Sequence, residues 1–192
     1  KNLLTILRII LERNNNLLIS GGVFFGANFN FIDAKNLGFS HVAICSGSGK
    51  SKIPENLSYI LKYKGVKFIS EFLMNINLGA TKKHSLSTML IRMPIAVLGG
   101  GLSAIDGAME SFLYYKKQIT KYVENLDKIN YESFLKNLNN EEVEIHNEFL
   151  NHHAILQKMK NNNDKEIMEE MGGVSVFYYK NYTSSNSYKI NI

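Results

Sequence analysis

The chain has 192 residues, 45% of them hydrophobic, with two prolines and one cysteine, and carries 22 Lys and Arg against 17 Asp and Glu for a net charge of +5. That is enough apolar material for a core in one domain or two small ones, while a positive charge spread without a long basic block argues against a nucleic-acid partner. No apolar run approaches the ~18 to 20 residues of a membrane span, and one cysteine excludes an internal disulfide and fits a reducing cytoplasm.

The first residues, "KNLLTILRIILER", form a helical pattern with Leu3, Leu4, Leu7, Ile10 and Leu11 on one face. Charges interrupt this stretch and no small-residue cleavage site follows, so it is not a signal peptide. Without a methionine, and starting inside a helix, the chain reads as an excerpt. Residues 21–29, "GGVFFGANF", predict a strand after a glycine turn. A second apolar strand is expected over residues 41–45, "HVAIC", running into Ser46, Gly47, Ser48 and Gly49. Glycines at 47 and 49 leave the backbone open to a close neighbour, though ordinary turn duty is the competing reading. Cys45 has no C-x-x-C partner and is expected as a buried strand cysteine. Residues 52–90 begin as loop and include a helix at "FISEFLMNINL".

Residues 93–112, "MPIAVLGGGLSAIDGAMESF", carry the most specific local signal. Ile95 to Leu98 make a short apolar run of the kind found in parallel strands covered on both faces. From Leu102 the pattern turns helical, with Ile105, Ala108, Met109 and Phe112 on one stripe. Between strand and helix lies G-x-G-x-x-A, as Gly99, Gly101 and Ala104, with Gly100 and Ser103 inside it. In dinucleotide-binding units the first glycine permits the tight turn, the second lets a diphosphate approach the backbone, and the third small residue lets helix and strand pack closely. The helix start then offers free N–H groups and a partial positive charge. A tight strand-to-helix turn without a ligand is the alternative.

Residues 116–171 mix charges with Ile119, Tyr122, Val123, Leu126, Phe149, Leu156 and Met159 at helical spacing, which predicts an amphipathic helical pair. Within it Glu148 and His152 fall one helical turn apart, but without further ligands this reads as a solvated face and no metal site is expected. Asparagine clusters such as "NLNNEE" and "KNNNDKE" read as compositional drift at loops and helix ends. "GGVSVFYYK" then predicts a strand. The order strand, helix, strand with no hairpin signal favours a parallel α/β sheet.

Three stretches in succession, "NLGFSHVAICSGSGKSKIP", "GVKFISEFLMNINL" and "MPIAVLGGGLSAIDGAMESFLYY", resemble FAD- and NAD(P)-dependent oxidoreductases similar to the glutamate synthase small subunit. The resemblance is nearer to long bacterial members with a helical insertion that ends at a strand like "GGVSVFYYK". It implies a Rossmann-like α/β fold in two lobes, one holding FAD and the other bringing NAD(P)H, so that hydride passes to the flavin. Residues 1–90 would be a partial FAD lobe and connector, and residues 91–192 a partial NAD(P)-binding lobe with its insertion at about 116–171. Carried over, Gly99, Gly101 and Ala104 would cradle the diphosphate of the pyridine nucleotide. Ser46, Gly47, Ser48 and Gly49 would lie against FAD. Asp106 matches an acid of the family, with helix-start electrostatics as its other role. The family's first glycine fingerprint for FAD is missing from the N-terminal part, so the chain is expected to be incomplete, with the missing lobe segments or another subunit as its partner. After "VSVFYY" stand Lys180, Thr183, Ser184 and Ser185 with no acid, which favours NADP over NAD. The alternative is an inactive remnant or a helical interaction module without catalysis. No catalytic side chain is implied, because the cofactors carry hydride transfer themselves.

Overall fold

The computed structural model of the chain describes residues 2–45, 47, 53, 55–80 and 89–184. It falls into two units, Lys1–Gly49 and Lys50–Ile192. The sequence alone predicts a boundary near residue 90.

In residues 1–49 the expected first helix is α1 (Asn2–Glu12), and α2 (Phe31–Asn36) follows. Asn30 starts α2 with a reciprocal cap. Its side-chain oxygen accepts from the Ile32 and Asp33 N–H groups at 2.7 and 3.1 Å, and Asp33 accepts from the Asn30 N–H at 2.8 Å. Three N–H donors at the helix start are met in this way, worth about 1 kcal/mol. The strands expected at 21–29 and 41–45 are not formed. Residues 21–29 turn back on themselves, with the Asn28 side chain accepting from the Phe24 N–H at 2.6 Å and donating to the Gly22 carbonyl at 2.7 Å, and the Phe25–Phe29 pair is an isolated bridge. Residues 41–45 are irregular, and Cys45 is exposed rather than buried in a strand. A strand needs a neighbour to take its ladder bonds, and no described segment pairs with this run. Ala34 is the one buried residue among those described in this unit.

In residues 50–192 a 3₁₀ stretch (Glu55–Lys62) precedes α3 (Ile69–Asn75), which continues as a π turn over Ile76–Ala80. β1 (Ile95–Leu98) leads into α4 (Leu102–Leu126), a 25-residue helix. Then come α5 (Tyr131–Lys136), α6 (Asn140–Lys158), α7 (Asp164–Glu170) and β2 (Val174–Phe177). Asn130, Asn139 and Asn163 cap α5, α6 and α7 with their side chains, so the asparagine clusters contain helix starts. At the end of α7, Gly172 and Gly173 take φ +101° and +82°, and their N–H groups bond Glu169 and Met168 carbonyls at 3.1 and 2.9 Å. These positive angles are the glycine-favouring way to stop a helix. β2 then pairs with β1 in parallel, Ile95 opposite Val174 through Leu98 opposite Phe177. The described fold is therefore α/β, a two-stranded parallel sheet with helices predominating.

The core lies between helices more than on the sheet. Met93, Phe112, Tyr115, Ile119, Phe149, Ile167 and Met171 form its main cluster, drawn from the residues before β1 and from α4, α6 and α7. A smaller one joins Phe72 of α3 to Tyr114 of α4, their rings edge to face at 6.0 Å. The stripe expected on α4 is thus rotated. Ile105 and Met109 are exposed, while Tyr114 and Tyr115 turn inward on two sides of the helix. The stretch 116–171 is also part of this core, since α4 crosses residue 116 unbroken and Ile119, Phe149 and Ile167 are buried with Phe112. No helix among the described residues is long and apolar enough to cross a membrane.

Candidate functional site

The three glycines after β1 answer to different constraints. Gly99 has φ +151°, and a Cβ there would stand 3.3 Å from the Cβ of buried Ala104. Small residues at both positions let the first turn of α4 come down on the strand end. Gly100 is packed under Tyr178, whose ring occupies the place a Cβ would take. Gly101 differs from both. Its φ of −90° and ψ of 173° suit any residue, and a Cβ there meets no heavy atom of the described residues within 4 Å. It is the N-cap of α4 with no side-chain cap, and the first helical bond runs from the Ala104 N–H to its carbonyl at 3.0 Å. The N–H groups of Leu102 and of exposed Ser103 therefore start the helix without an intrahelical acceptor.

The end of β2 borders this turn. The Gly99 N–H donates to the Phe177 carbonyl at 2.9 Å, carrying the ladder one residue past the strand. Tyr178 then covers Gly100, Tyr179 stands edge-on to it at 4.8 Å, and the Lys180 ammonium lies 5.2 Å from the Tyr179 ring centre. The fold thus brings Gly99, Gly100, Gly101, Ser103, Ala104 and the Tyr178–Lys180 segment to one end of the sheet. Asp106 is exposed and past the first turn of α4, beyond the reach of helix-start electrostatics. Gly107, which the motif does not include, is buried under Ile69 of α3. Ser46, Ser48, Gly49 and Ser185 lie outside the described residues. Gly47 is described at φ +73°, in the other unit.

A second constellation was invisible as such in the sequence. The segment before β1 is held by side chains in place of a neighbouring strand. The Tyr114 hydroxyl accepts from the Met89 N–H and donates to the Met89 carbonyl, both at 2.8 Å. Gln118 accepts from the Ile91 N–H at 3.0 Å and donates to its carbonyl at 2.7 Å. The Met93 N–H donates to Glu148 at 3.1 Å. Alternate residues of an extended chain point their backbone groups the same way, so α4 and α6 clasp residues 89, 91 and 93 in turn.

Glu148 is the centre of this clasp. One carboxylate oxygen takes the Met93 N–H and the Tyr115 hydroxyl, each at 3.1 Å, and the other takes the Arg92 Nε at 2.7 Å. The same Tyr115 hydroxyl lies 2.6 Å from His152 Nδ1. Burial pushes the Tyr115 phenol above its ordinary range, with the Glu148 charge adding to the effect, and burial lowers His152 against an opposing pull from Glu148. The Glu148 hydrogen bond raises Arg92. Glu148 and His152, expected on a solvated face, are therefore partly buried against α4. The sequence carries no signal for this pairing, since Tyr115 lies on another helix, 33 positions before Glu148. Nearer the other end of α6, buried His146 bonds Tyr122 through Nδ1 at 2.8 Å and Tyr131 through Nε2 at 2.9 Å. No group of three or more His, Cys, Asp or Glu among the described residues could hold a metal ion.

No family model and no solved structure matches this chain. It is similar to an uncharacterized protein of Rickettsia prowazekii (strain Madrid E), 42% identical over 193 residues. The match covers 100% of this chain and 26% of the relative, so the chain spans about a quarter of the length of the curated protein it matches.

Proposed function

We propose that residues 50–192 bind the diphosphate of a pyridine dinucleotide at the β1–α4 turn, as the dinucleotide half of a flavin-dependent oxidoreductase similar to the glutamate synthase small subunit. One observation carries this reading. Packing accounts for Gly99 and Gly100, but a Cβ at Gly101 meets nothing among the described residues, and its missing side chain leaves space in front of a helix start without a side-chain cap. A diphosphate fills such a space well, since backbone N–H groups and the helix dipole both favour negative charge there. The parallel pairing of β1 with β2 supports it, because ligands of open parallel sheets sit beyond the carboxyl ends of the strands. Lys180, on the segment leaving β2, suits a ribose phosphate and favours NADP. A Rossmann-like lobe would need further strands beyond these two.

Among the described residues of 1–49 no paired strand leads to Gly47, and Ser46, Ser48 and Gly49 lie outside them, so contacts of this segment with FAD rest on the resemblance alone. In this reading the flavin is held by segments outside these 192 residues, and the dinucleotide supplies hydride when bound. This chain's own part is to hold and orient the diphosphate. A second reading, a helical interaction module without catalysis, draws on the core itself, whose buried residues come mainly from α4, α6 and α7.

Calorimetry of the purified chain with NADPH and NADH tests the proposal. Saturable NADPH binding is expected, weakened at least about tenfold, or 1.4 kcal/mol, by Gly101→Val. Equal affinity in the valine variant removes the diphosphate cradle.

A further inference from the structure

The Tyr115 cluster has a chemical consequence separate from the glycine turn. Its hydroxyl has one proton and stands between two partners, a Glu148 oxygen at 3.1 Å and His152 Nδ1 at 2.6 Å. Glu148, paired with Arg92, is a carboxylate and offers only acceptors. If the hydroxyl gave its proton to His152, two oxygens would face each other at 3.1 Å with no hydrogen between them. If it gives the proton to Glu148, its oxygen is free to accept from an Nδ1–H, and both contacts are satisfied. We infer that Glu148, acting through Tyr115, holds His152 in the tautomer protonated at Nδ1, and so presents an unprotonated Nε2 as a proton-accepting site for a ligand hydroxyl.

Further geometry agrees. Among the described residues Nε2 of His152 has no hydrogen-bond partner, and no buried side-chain nitrogen or oxygen is left without one, so Nε2 reaches solvent. The groups facing this ring are Tyr115 from α4 and Glu148 one turn back on α6, whose carboxylate also holds Arg92 from the segment before β1. Burial keeps both the imidazole and the phenol neutral at ordinary pH. His146 makes the contrast on the same helix, since both its ring nitrogens are taken by tyrosine hydroxyls. A neutral nitrogen lone pair attracts a hydroxyl proton and repels an anion. The ligand class is therefore unlike that of the β1–α4 turn.

Long-range ¹H–¹⁵N correlation spectra of the whole chain at slightly alkaline pH read the tautomer directly. His152 should show its proton on Nδ1, and Tyr115→Phe, which removes the acceptor for that proton, should move the population toward Nε2–H. Titration with phenol should shift the His152 Nε2 resonance, and inorganic phosphate should not. Diethyl pyrocarbonate, which attacks unprotonated imidazole nitrogen, should modify His152 in the native chain and spare His146. A wild-type proton on Nε2, an unchanged tautomer in a folded Tyr115→Phe chain, a phosphate response in place of a phenol response, or a His152 inert to the reagent overturns the inference. The wild-type spectrum and modification decide it even if Tyr115→Phe fails to fold.

Discussion

Residues 1–49 and 50–192 start helices in the same way and differ in what happens next. Asn30 with Asp33 and Asn139 with Glu142 build the same reciprocal cap, yet Phe31 and Ile32 beside the first are 59% and 66% exposed, while Phe149 on the second helix is 3% exposed. A cap needs four consecutive residues. A core needs elements distant in sequence that bring apolar faces together, and the second unit has them in α4, α6 and α7. Helix starts are therefore a poor guide to which part of the chain is stably folded.

The largest effect that sharpens this contrast comes from cavity formation. Phe149→Ala should lower unfolding free energy by about 3–5 kcal/mol, because its ring packs edge to face on Tyr115 and Tyr122 at 5.8 and 5.2 Å. Leu18→Ala, at a residue 89% exposed, should stay within about 0.5 kcal/mol. Urea denaturation of both variants gives the comparison, and similar losses would break it.

Next in size is Glu148→Ala. It leaves the Met93 N–H, the Tyr115 hydroxyl and the Arg92 guanidinium without their common acceptor, at a site only 12% exposed on the carboxylate side. A loss of about 2–3 kcal/mol is expected. Hydrogen exchange should quicken at Met93 and along β1, which that residue anchors. Unchanged exchange there would show that the clasp is not what positions the strand.

The caps should give a smaller and more telling difference. Asn139→Ala should cost about 1 kcal/mol of global stability, as a cap does when its helix belongs to the core. Asn30→Ala should loosen amides of α2 while leaving the urea midpoint of the second unit in place. Equal shifts of that midpoint would mean the two units unfold as one.

Acidity is expected to act on the second unit through His152. Its folded pKa is depressed by burial, so the unfolded chain binds more protons between that value and the ordinary one near ~6.5. Stability is fully present above pH ~6.5 and is lost as pH falls through the depressed folded value. Replacement of His152 by Gln should flatten that decline in a series of urea curves, whereas Tyr115→Phe, which keeps the ring buried, should leave it in place.

The legibility of this chain in its sequence follows from the same distinction. α1, β1, the start of α4 and β2 were readable, because apolar periodicity and glycine turns are local. The strands at 21–29 and 41–45 were not, since "VFF" and "VAI" look like strands whether or not a neighbour exists to pair with them. The stripe on α4 was only partly legible, because the sequence does not say which elements pack on the helix, and Tyr114 and Tyr115, outside the expected stripe, are among its most buried residues. Of the candidate site, the sequence offered Gly99, Gly101 and Ala104 as a group but could not separate the glycine that packing requires from the one that it does not. That separation needed Tyr178, 78 positions beyond Gly100 and brought there by the β1–β2 pairing.

Amide chemical-shift mapping with NADPH tests the central claim most directly. Backbone resonances of the whole ¹⁵N-labelled chain are followed during the titration, in wild type and in Gly101→Val, whose negative φ and open surroundings should limit its own cost to about 1 kcal/mol. The account predicts saturable shifts concentrated at Gly99–Ala104 and Tyr178–Lys180, lost in the valine variant while the rest of the spectrum persists. Shifts scattered over the lysines, or equal shifts in Gly101→Val, would contradict it.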